Sequence, residues 1–547
     1  MLEFFNISGF APHQYAWLAT GGVFLFFSIW FHLHEKSKLA LLFLTLSAFS
    51  IYTFAALLDP FLNLWDERFH AVVAKNCISD PLEPKFYNHP LVLETDYLNW
   101  TCAHVWLHKQ PLFLWQMALS MKLFGANEFA LRLPSVLMAT LSVPIGYQIG
   151  KRIINSKIGY YTALAITFSW FLIDLVSGAS GIDHNDVAFF FYVTASLWSF
   201  VEYNYSDRKR GWVILIGLFS GCAIMTKWLA GLLVYFTWGV YLLSTYGWRL
   251  RKWNLSHYLS ALVITTLIFL PWQIFIFSAY PDAALHEFEY SNKHLYEQIE
   301  FQRTDFFFHI SRIPFLYLGH KMSYTDGFTG LRIVTLLFNA LILVAGLVRM
   351  GFLIKKRNIN ITLYSTLIFV YLFFSIATTK MPAYPFIVGI IWFMSLGVVI
   401  DWIIEKIGVW IKKPKLRIGI QIIVLFLCSW YMFNFTRIRQ MHTSLTCWRI
   451  DQIENKARLL QIKDKLPENA ILFNVRGDER QYYNMTFSEA CFYLDRDCYP
   501  YAPSPESLQR VKEAGFIPVY FIHHPLPDHC QDDPDALYFD IELLNDL

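Results

Sequence analysis

The chain reads as a mainly α, polytopic membrane protein of about twelve spans with a soluble α/β domain at its C-terminal end. Composition is the first ground. Of 547 residues, 55% are hydrophobic, 18% aromatic and only 16% charged, whereas globular chains average about 45–50% apolar and about 25% charged. Repeated apolar stretches of bilayer length are the second ground. The third is that lysines and arginines concentrate in alternate loops.

By the rule that about 20 apolar residues cross the hydrocarbon core, spans are expected near Tyr15–His32, Leu39–Leu58, Leu131–Gly150, Ile158–Ser177, Val187–Tyr203, Trp212–Thr226, Trp228–Tyr246, His257–Ala279, Leu331–Met350, Ile361–Thr378, Tyr384–Ile400 and Ile418–Phe435. The pair meeting at Thr226–Trp228 is tight enough to be a single re-entrant hairpin instead. Ahead of the first span stands Glu3 with no Lys or Arg. That lead-in lacks the basic start of a cleaved signal peptide, so the span is expected to be retained.

Lys36 and Lys38, Lys151 to Lys157, Arg208 to Arg210, Arg249 to Lys252, Lys355 to Arg357 and Lys412 to Arg417 mark six alternate loops. The positive-inside rule makes these loops cytoplasmic and places both termini outside. Pro111–Gly125 is apolar but short, and a crossing there would move every later basic loop outside. It is expected as a helix along the outer membrane surface.

The expected divisions are an N-terminal span (1–38), a membrane domain (39–436) with outer loops 59–130 and 280–330, and an outer α/β domain (437–547). From Met441 to Leu547 there are 10 Lys+Arg against 18 Asp+Glu, a net of −8, in a chain of net +3. Ala470–Val475 and Ile517–Ile522 read as buried strands. Ser504-Pro505 opens a helix between them and Gly515 closes it. The tail is read as a packing or acceptor-docking module. Cys77, Cys102, Cys447, Cys491, Cys498 and Cys530 fall on the outer side, where disulfides are permitted. Cys77 with Cys102 would staple the first loop, and the tail has room for two bridges.

Four clusters recur near the outer surface. Trp65-Asp66-Glu67-Arg68, with His70 one turn beyond Asp66, ends an apolar stretch, where ionised groups are costly unless they face water or a polar cavity. Adjacent helical positions diverge by about 100°, so one acid of the pair is expected to be catalytic and the other structural. Acids suited to a helix N-terminus are the plainer alternative. Gly181-Ile182-Asp183-His184-Asn185-Asp186 could hold a divalent cation, orient an acceptor, or cap a helix. His108-Lys109-Gln110-Pro111 offers a lysine at headgroup height, a phosphate partner unless it merely snorkels. Thr378-Thr379-Lys380-Met381-Pro382-Ala383-Tyr384-Pro385 breaks a helix where backbone can line a cavity. Lys227 and Lys293 are further basic candidates.

This order of motifs, with Phe124-Gly125-Ala126-Asn127-Glu128-Phe129-Ala130-Leu131-Arg132-Leu133-Pro134 and Thr226-Lys227, resembles the GT-C membrane glycosyltransferases. The branch in question holds the aminoarabinose transferases of lipid A and the protein O-mannosyltransferases. The resemblance covers about Leu39 to Phe435 and leaves the first span without a counterpart. It implies a GT-C-like fold in the bacterial inner membrane, with the active site and tail on the periplasmic side. It further implies an inverting transferase that takes a sugar from polyprenyl phosphate to a lipid, glycan or protein acceptor.

On that resemblance Asp66, with Glu67 beside it, and Asp186 take the catalytic acidic positions. Lys109 matches the lysine that would hold the donor phosphate; Lys227, Lys380 and Tyr384 are, apart from the resemblance, read as helping it. His70, Asp183, His184 and Arg132 are further substrate-contacting candidates. Apart from the resemblance, Asp66, Asp183, His184 and Asp186 could hold a divalent cation such as Mg or Mn; no cofactor is otherwise expected. Two departures stand out: the family's Lys-Pro-Pro is Lys109-Gln110-Pro111, and Ser177-Gly178-Ala179-Ser180-Gly181 lacks the arginine found before the second aspartate. Membrane lipids are expected partners and nucleic acid is not. The rival reading is a transporter or flippase of envelope glycolipids, but transporters place polar groups near the midplane and show related halves. A non-catalytic assembly partner is a third.

Overall fold

The structure, a computed structural model, describes residues 9–94, 97–101, 103–179, 184–299, 304–319, 330–443, 447–475, 486–522 and 525–539. Its helices in order are α1 (Pro12–Leu33), α2 (Ser37–Ala56), α3 (Asp66–Asn76), α4 (Leu112–Phe124), α5 (Glu128–Ile153), α6 (Ser156–Thr167), α7 (Trp170–Ser177), α8 (His184–Tyr205) and α9 (Lys209–Lys227). There follow α10 (Leu233–Tyr246), α11 (Leu255–Ala279), α12 (Pro281–Tyr296), α13 (Phe308–Leu318), α14 (Gly330–Leu353), α15 (Arg357–Ile376), α16 (Gly389–Trp410) and α17 (Pro414–Phe433).

Among the described residues nine helices are long and apolar enough to cross a membrane, or ten when the bent pair α6–α7 counts as one span. The chain is a multi-pass membrane protein. One of the nine, Lys209–Tyr246, folds back on itself. Trp228 adopts a φ of 60°, and Gly231 returns against α9 so closely that a Cβ there would lie 2.7 Å from the Ile224 amide nitrogen. Phe200 and Tyr203, at the far end of α8, then pack on Trp238 of α10. The tight pair is therefore two antiparallel helices. With α8, which carries its polar residues at its two ends inside the bundle, these account for the dozen spans expected.

The basic loops gather at one end. Arg152 pairs with Glu202 at 2.9 Å, Lys356 lies over the Tyr205 ring, and Asn358 donates to the Thr245 hydroxyl. The opposite end carries α3, α4, α12 and the tail. Helix α4 has 13 residues, or about 20 Å of rise, too short for a core of about 30 Å. It is no span, as expected.

The tail begins with α18 (Phe435–Thr443) and α19 (Cys447–Lys463) and centres on a parallel sheet, β1 (Ala470–Phe473), β2 (Ile517–Phe521) and β3 (Leu537–Phe539), in that order. Between the first two strands lie α20 (Thr486–Ala490) and α21 (Pro505–Glu513). The Ser504 hydroxyl accepts from the Ser507 amide at 3.2 Å, and Gly515 takes a φ of 81°, so the expected start and stop of α21 are both present. The expected disulfides are not. Cys77, Cys491, Cys498 and Cys530 are free thiols, and Cys102 lies outside the described residues. Cys77 faces the core from the end of α3, while Cys491 and Cys498 are neighbours whose contact is an amide of Cys498 donating to the Cys491 sulfur.

Candidate functional site

Trp65, in a positive-φ conformation of 73°, turns the chain into α3 and sets which face each acid presents. Asp66, the first residue of the helix, is half-buried. Glu67 is wholly buried. Its carboxylate accepts from Arg132 at 2.6 and 3.0 Å and from the Asn63 amide, and it faces the His184 ring at 3.1 Å. Burial alone would raise its pKa. The Arg132 guanidinium and the His184 contact more than offset that and hold it below the usual carboxylate range. Gly178, at a φ of 75°, closes the last side, where a Cβ would stand 2.7 Å from the carboxylate. Glu67, expected beside Asp66 as a catalytic candidate, is thus a structural anchor.

Arg132, expected to meet substrate, is corrected in the same way. Its remaining donors go to the carbonyls of Ala56, Asp59 and Phe61, so it ties α5 to the loop that presents Asp66. His70 is buried against Trp106 and Phe113. His184 is divided between Glu67 and the Ser135 hydroxyl. Two residues on, Asp186 turns the other way and pairs with Lys227 at 2.5 Å. No group of three metal-ligating side chains forms among the described residues, and Asp183 lies outside them. Of the donors expected for a cation, His184 and Asp186 point to separate partners.

A cavity of about 190 Å³ lies beside Asp186, lined among others by His108, Lys109, Lys227, Tyr290, His294 and Tyr384. Lys227 stands over the Tyr384 ring at 5.4 Å. Lys109 makes no ion pair among the described residues. Lys380 does not line the cavity. It is buried, and its ammonium donates to the carbonyls of Ser375 and Ala377, closing the C-terminal end of α15. Thr378 and Thr379 instead bind backbone of the 294–299 segment, which holds α12 over the cavity. Asp66 does not line the cavity either. It is joined to it through Trp65, Trp100 and His108, rings 5.6 and 4.4 Å apart in turn, and through the Glu67–His184 contact.

Sequence reasoning missed the contribution of α12. Glu287 is buried and meets His108 Nδ1 at 3.1 Å, and His294 lines the cavity. The one signal was an acid three places beyond Ala284, which puts both on one helical face. Burial pushes Glu287 up to about 7, against the pull of His286 and Lys109. Burial also pushes His108 well down, with Lys109, His70 and His286 adding to it. His294 is lowered to about 4 by burial and then by Lys109, His108 and Lys227.

The tail grips the loop that carries Asp66. Asp59 is buried between His442 at 2.8 Å and Arg449, which more than offset its desolvation and hold its pKa far below the usual range. Arg68 pairs with Glu489 at 3.1 Å and donates to Gln452. The Tyr493 hydroxyl accepts from the Leu62 amide at 3.1 Å, and Glu128 accepts from Lys456 and Tyr493.

Residues 108–275 match the family described as dolichyl-phosphate-mannose-protein mannosyltransferase. The chain is similar to an undecaprenyl phosphate-alpha-4-amino-4-deoxy-L-arabinose arabinosyl transferase of Pseudomonas paraeruginosa, 31% identical over 188 residues, 32% of either chain. A transferase of the same name from Pseudomonas fluorescens is 28% identical over 198 residues, 34% of either chain. The match thus spans about a third of the length of these curated relatives. Among solved structures, ArnT from Cupriavidus metallidurans bound to undecaprenyl phosphate is similar at a TM-score of 0.58 and 16% identity, over 86% of this chain and 87% of that one. The archaeal oligosaccharyltransferase AglB from Archaeoglobus fulgidus, in complex with an inhibitory peptide and a dolichol-phosphate, gives 0.54 and 11%, over 86% and 64%. The resemblance read from the motifs therefore holds at the level of architecture: the chain has the fold of the GT-C membrane glycosyltransferases.

Proposed function

We propose that the protein is an inverting glycosyltransferase that moves a sugar from a polyprenyl-phosphate donor to a lipid, glycan or protein acceptor at the periplasmic face of the bacterial inner membrane. The observation that carries the reading is the cavity, where Lys109 and Lys227 stand with Asp186 at the end of the bundle opposite the basic loops. Two ammonium groups suit a lipid phosphate. Lys109, which makes no ion pair among the described residues, would take the phosphate directly, and Lys227 would do so as it loosens from Asp186.

Asp66 acts as the general base. Its half-buried carboxylate at the start of α3 takes the proton of the acceptor hydroxyl, a role worth about 10²–10⁴-fold in rate. The attacking oxygen forms its bond to the anomeric carbon as the bond to the phosphate oxygen breaks, which inverts the centre. The lysines stabilise the charge that gathers on the departing phosphate. Asp186 positions Lys227 and the acceptor. Glu67, Arg132 and the tail fix the loop on which Asp66 stands.

The test uses the purified protein in lipid, radiolabelled polyprenyl-phosphate sugars and total envelope extract. Label should move to glycolipid or protein with the wild type and not with Asp66→Asn. Full transfer by a folded Asp66→Asn protein removes Asp66 from the role, and no transfer from any such donor sinks the reading.

A further inference from the structure

The pair of half-buried His108 and buried Glu287 has no part in the reading above, yet it adjoins the two lysines. His108 follows Ala103–Leu107 in the outer loop and immediately precedes Lys109. Its ring stacks on Trp100 with centroids 4.4 Å apart and planes 8° apart, so the imidazole is held in one plane. Nδ1 faces a Glu287 carboxyl oxygen at 3.1 Å, and His108 lines the cavity that holds Lys109 and Lys227. Glu287 itself does not line it. An imidazole clamped by an aromatic face, backed by a carboxyl at Nδ1 and open to a phosphate-sized cavity has the layout of an acid–base dyad.

Resting on the transferase reading, we propose that His108 is the acid that protonates the departing polyprenyl phosphate, with Glu287 as the positioning residue that supplies its proton. When the bond from the anomeric carbon to the phosphate oxygen breaks, that oxygen keeps the electron pair. The proton on the cavity-facing nitrogen of His108 passes to it, the carboxyl proton of Glu287 passes to Nδ1, and Glu287 is left as a carboxylate. The acceptor's proton, taken by Asp66, returns through solvent to reset the dyad. The step therefore balances without any further reactant. Perturbation of the two groups runs in the direction this requires, with the carboxyl pushed up and the imidazole pushed down.

The groups facing the pair are Lys109 beside it, His70 on α3, and His286, Tyr290 and His294 on α12, with Asp186 and Lys227 across the cavity. The cations lower both pKa values. They do not supply a proton in the geometry of the dyad.

The test compares wild type, Glu287→Gln and His108→Gln in the radiolabel transfer assay across pH 5.5 to 9. Wild-type kcat should fall as pH rises through about 7. Both variants should lose about 100-fold in kcat with donor KM within about threefold, and the falling limb should disappear. A merely structural pair would lower Tm and leave the limb in place. Should Glu287→Gln fail to fold, Glu287→Asp, which keeps an acid, should retain the limb at a displaced midpoint. Wild-type kcat and an unaltered limb in Glu287→Gln would overturn the proposal. If the wild type transfers nothing, the transferase reading fails separately. The dyad is then read by phosphorus NMR of a short-chain polyprenyl phosphate bound to the protein. A midpoint displaced from that of the free phosphate in wild type and returned towards it in Glu287→Gln supports the dyad, and identical midpoints in both overturn it.

Discussion

Arg68 on α3 and Glu489 on α20 form an ion pair of 3.1 Å with both side chains buried. The pair joins the tail to the helix whose first residue is Asp66. Removing one partner of a buried pair leaves the other charge without compensation and costs about 3 kcal/mol or more. Arg68→Ala should therefore lower Tm by several degrees and expose the tail to limited proteolysis. Calorimetry and a protease time course check both.

Lys109 and Lys380 both lie at the end of the bundle opposite the basic loops and should behave differently. Lys109→Ala should weaken polyprenyl phosphate binding about tenfold or more, the loss of one charge-assisted contact of about 1.5–3 kcal/mol. Lys380→Met should leave that binding within about twofold and lower Tm instead, because it uncovers the carbonyls at the end of α15. Equal losses of binding in the two would return Lys380 to the phosphate site.

Asp186 holds Lys227 at 2.5 Å. Asp186→Asn frees the ammonium for the donor phosphate and removes a carboxylate from beside it. Donor affinity should hold or rise while kcat falls by at least tenfold, a split visible in initial-rate kinetics. A fall in affinity with kcat preserved would assign Asp186 to donor binding.

Asp59 and Glu67 both have pKa values held below the unfolded carboxylate range. For such groups the unfolded state binds more protons in acid. Their contribution is complete above about pH 4–5 and is lost as pH falls through the unfolded and then the folded pKa. Tm should drop steeply below about pH 4. Asp59→Asn should lower Tm near neutral pH and flatten that drop, which a series of thermal melts would show.

Much of the architecture was legible because its signals are local. Apolar length and basic loops fix the spans, and Ser504 and Gly515 mark the ends of α21 by side-chain capping and a left-handed φ. The site was legible only in part. Which of Asp66 and Glu67 faces out depends on the φ of Trp65 and on Arg132, 65 positions away from Glu67. Lys380 looked like a phosphate ligand because its cluster lies at the right depth, but its ammonium turns back to its own helix. Glu287 becomes visible only when α12 folds over His108, a pairing across 179 positions.

The clamp on Asp59 also bears on how the protein is made. Asp59 is synthesised 383 residues before His442, and Arg449 follows later still. At about 5–20 residues per second, roughly 20–80 s pass between the acid leaving the ribosome and its partners doing so. Through that interval the loop that presents Asp66 has Arg132 on one side and nothing from the tail on the other. A nascent chain stalled anywhere before α18 would hold a threaded bundle whose Asp66 loop lacks its clamp, so that loop is completed only with the last fifth of translation.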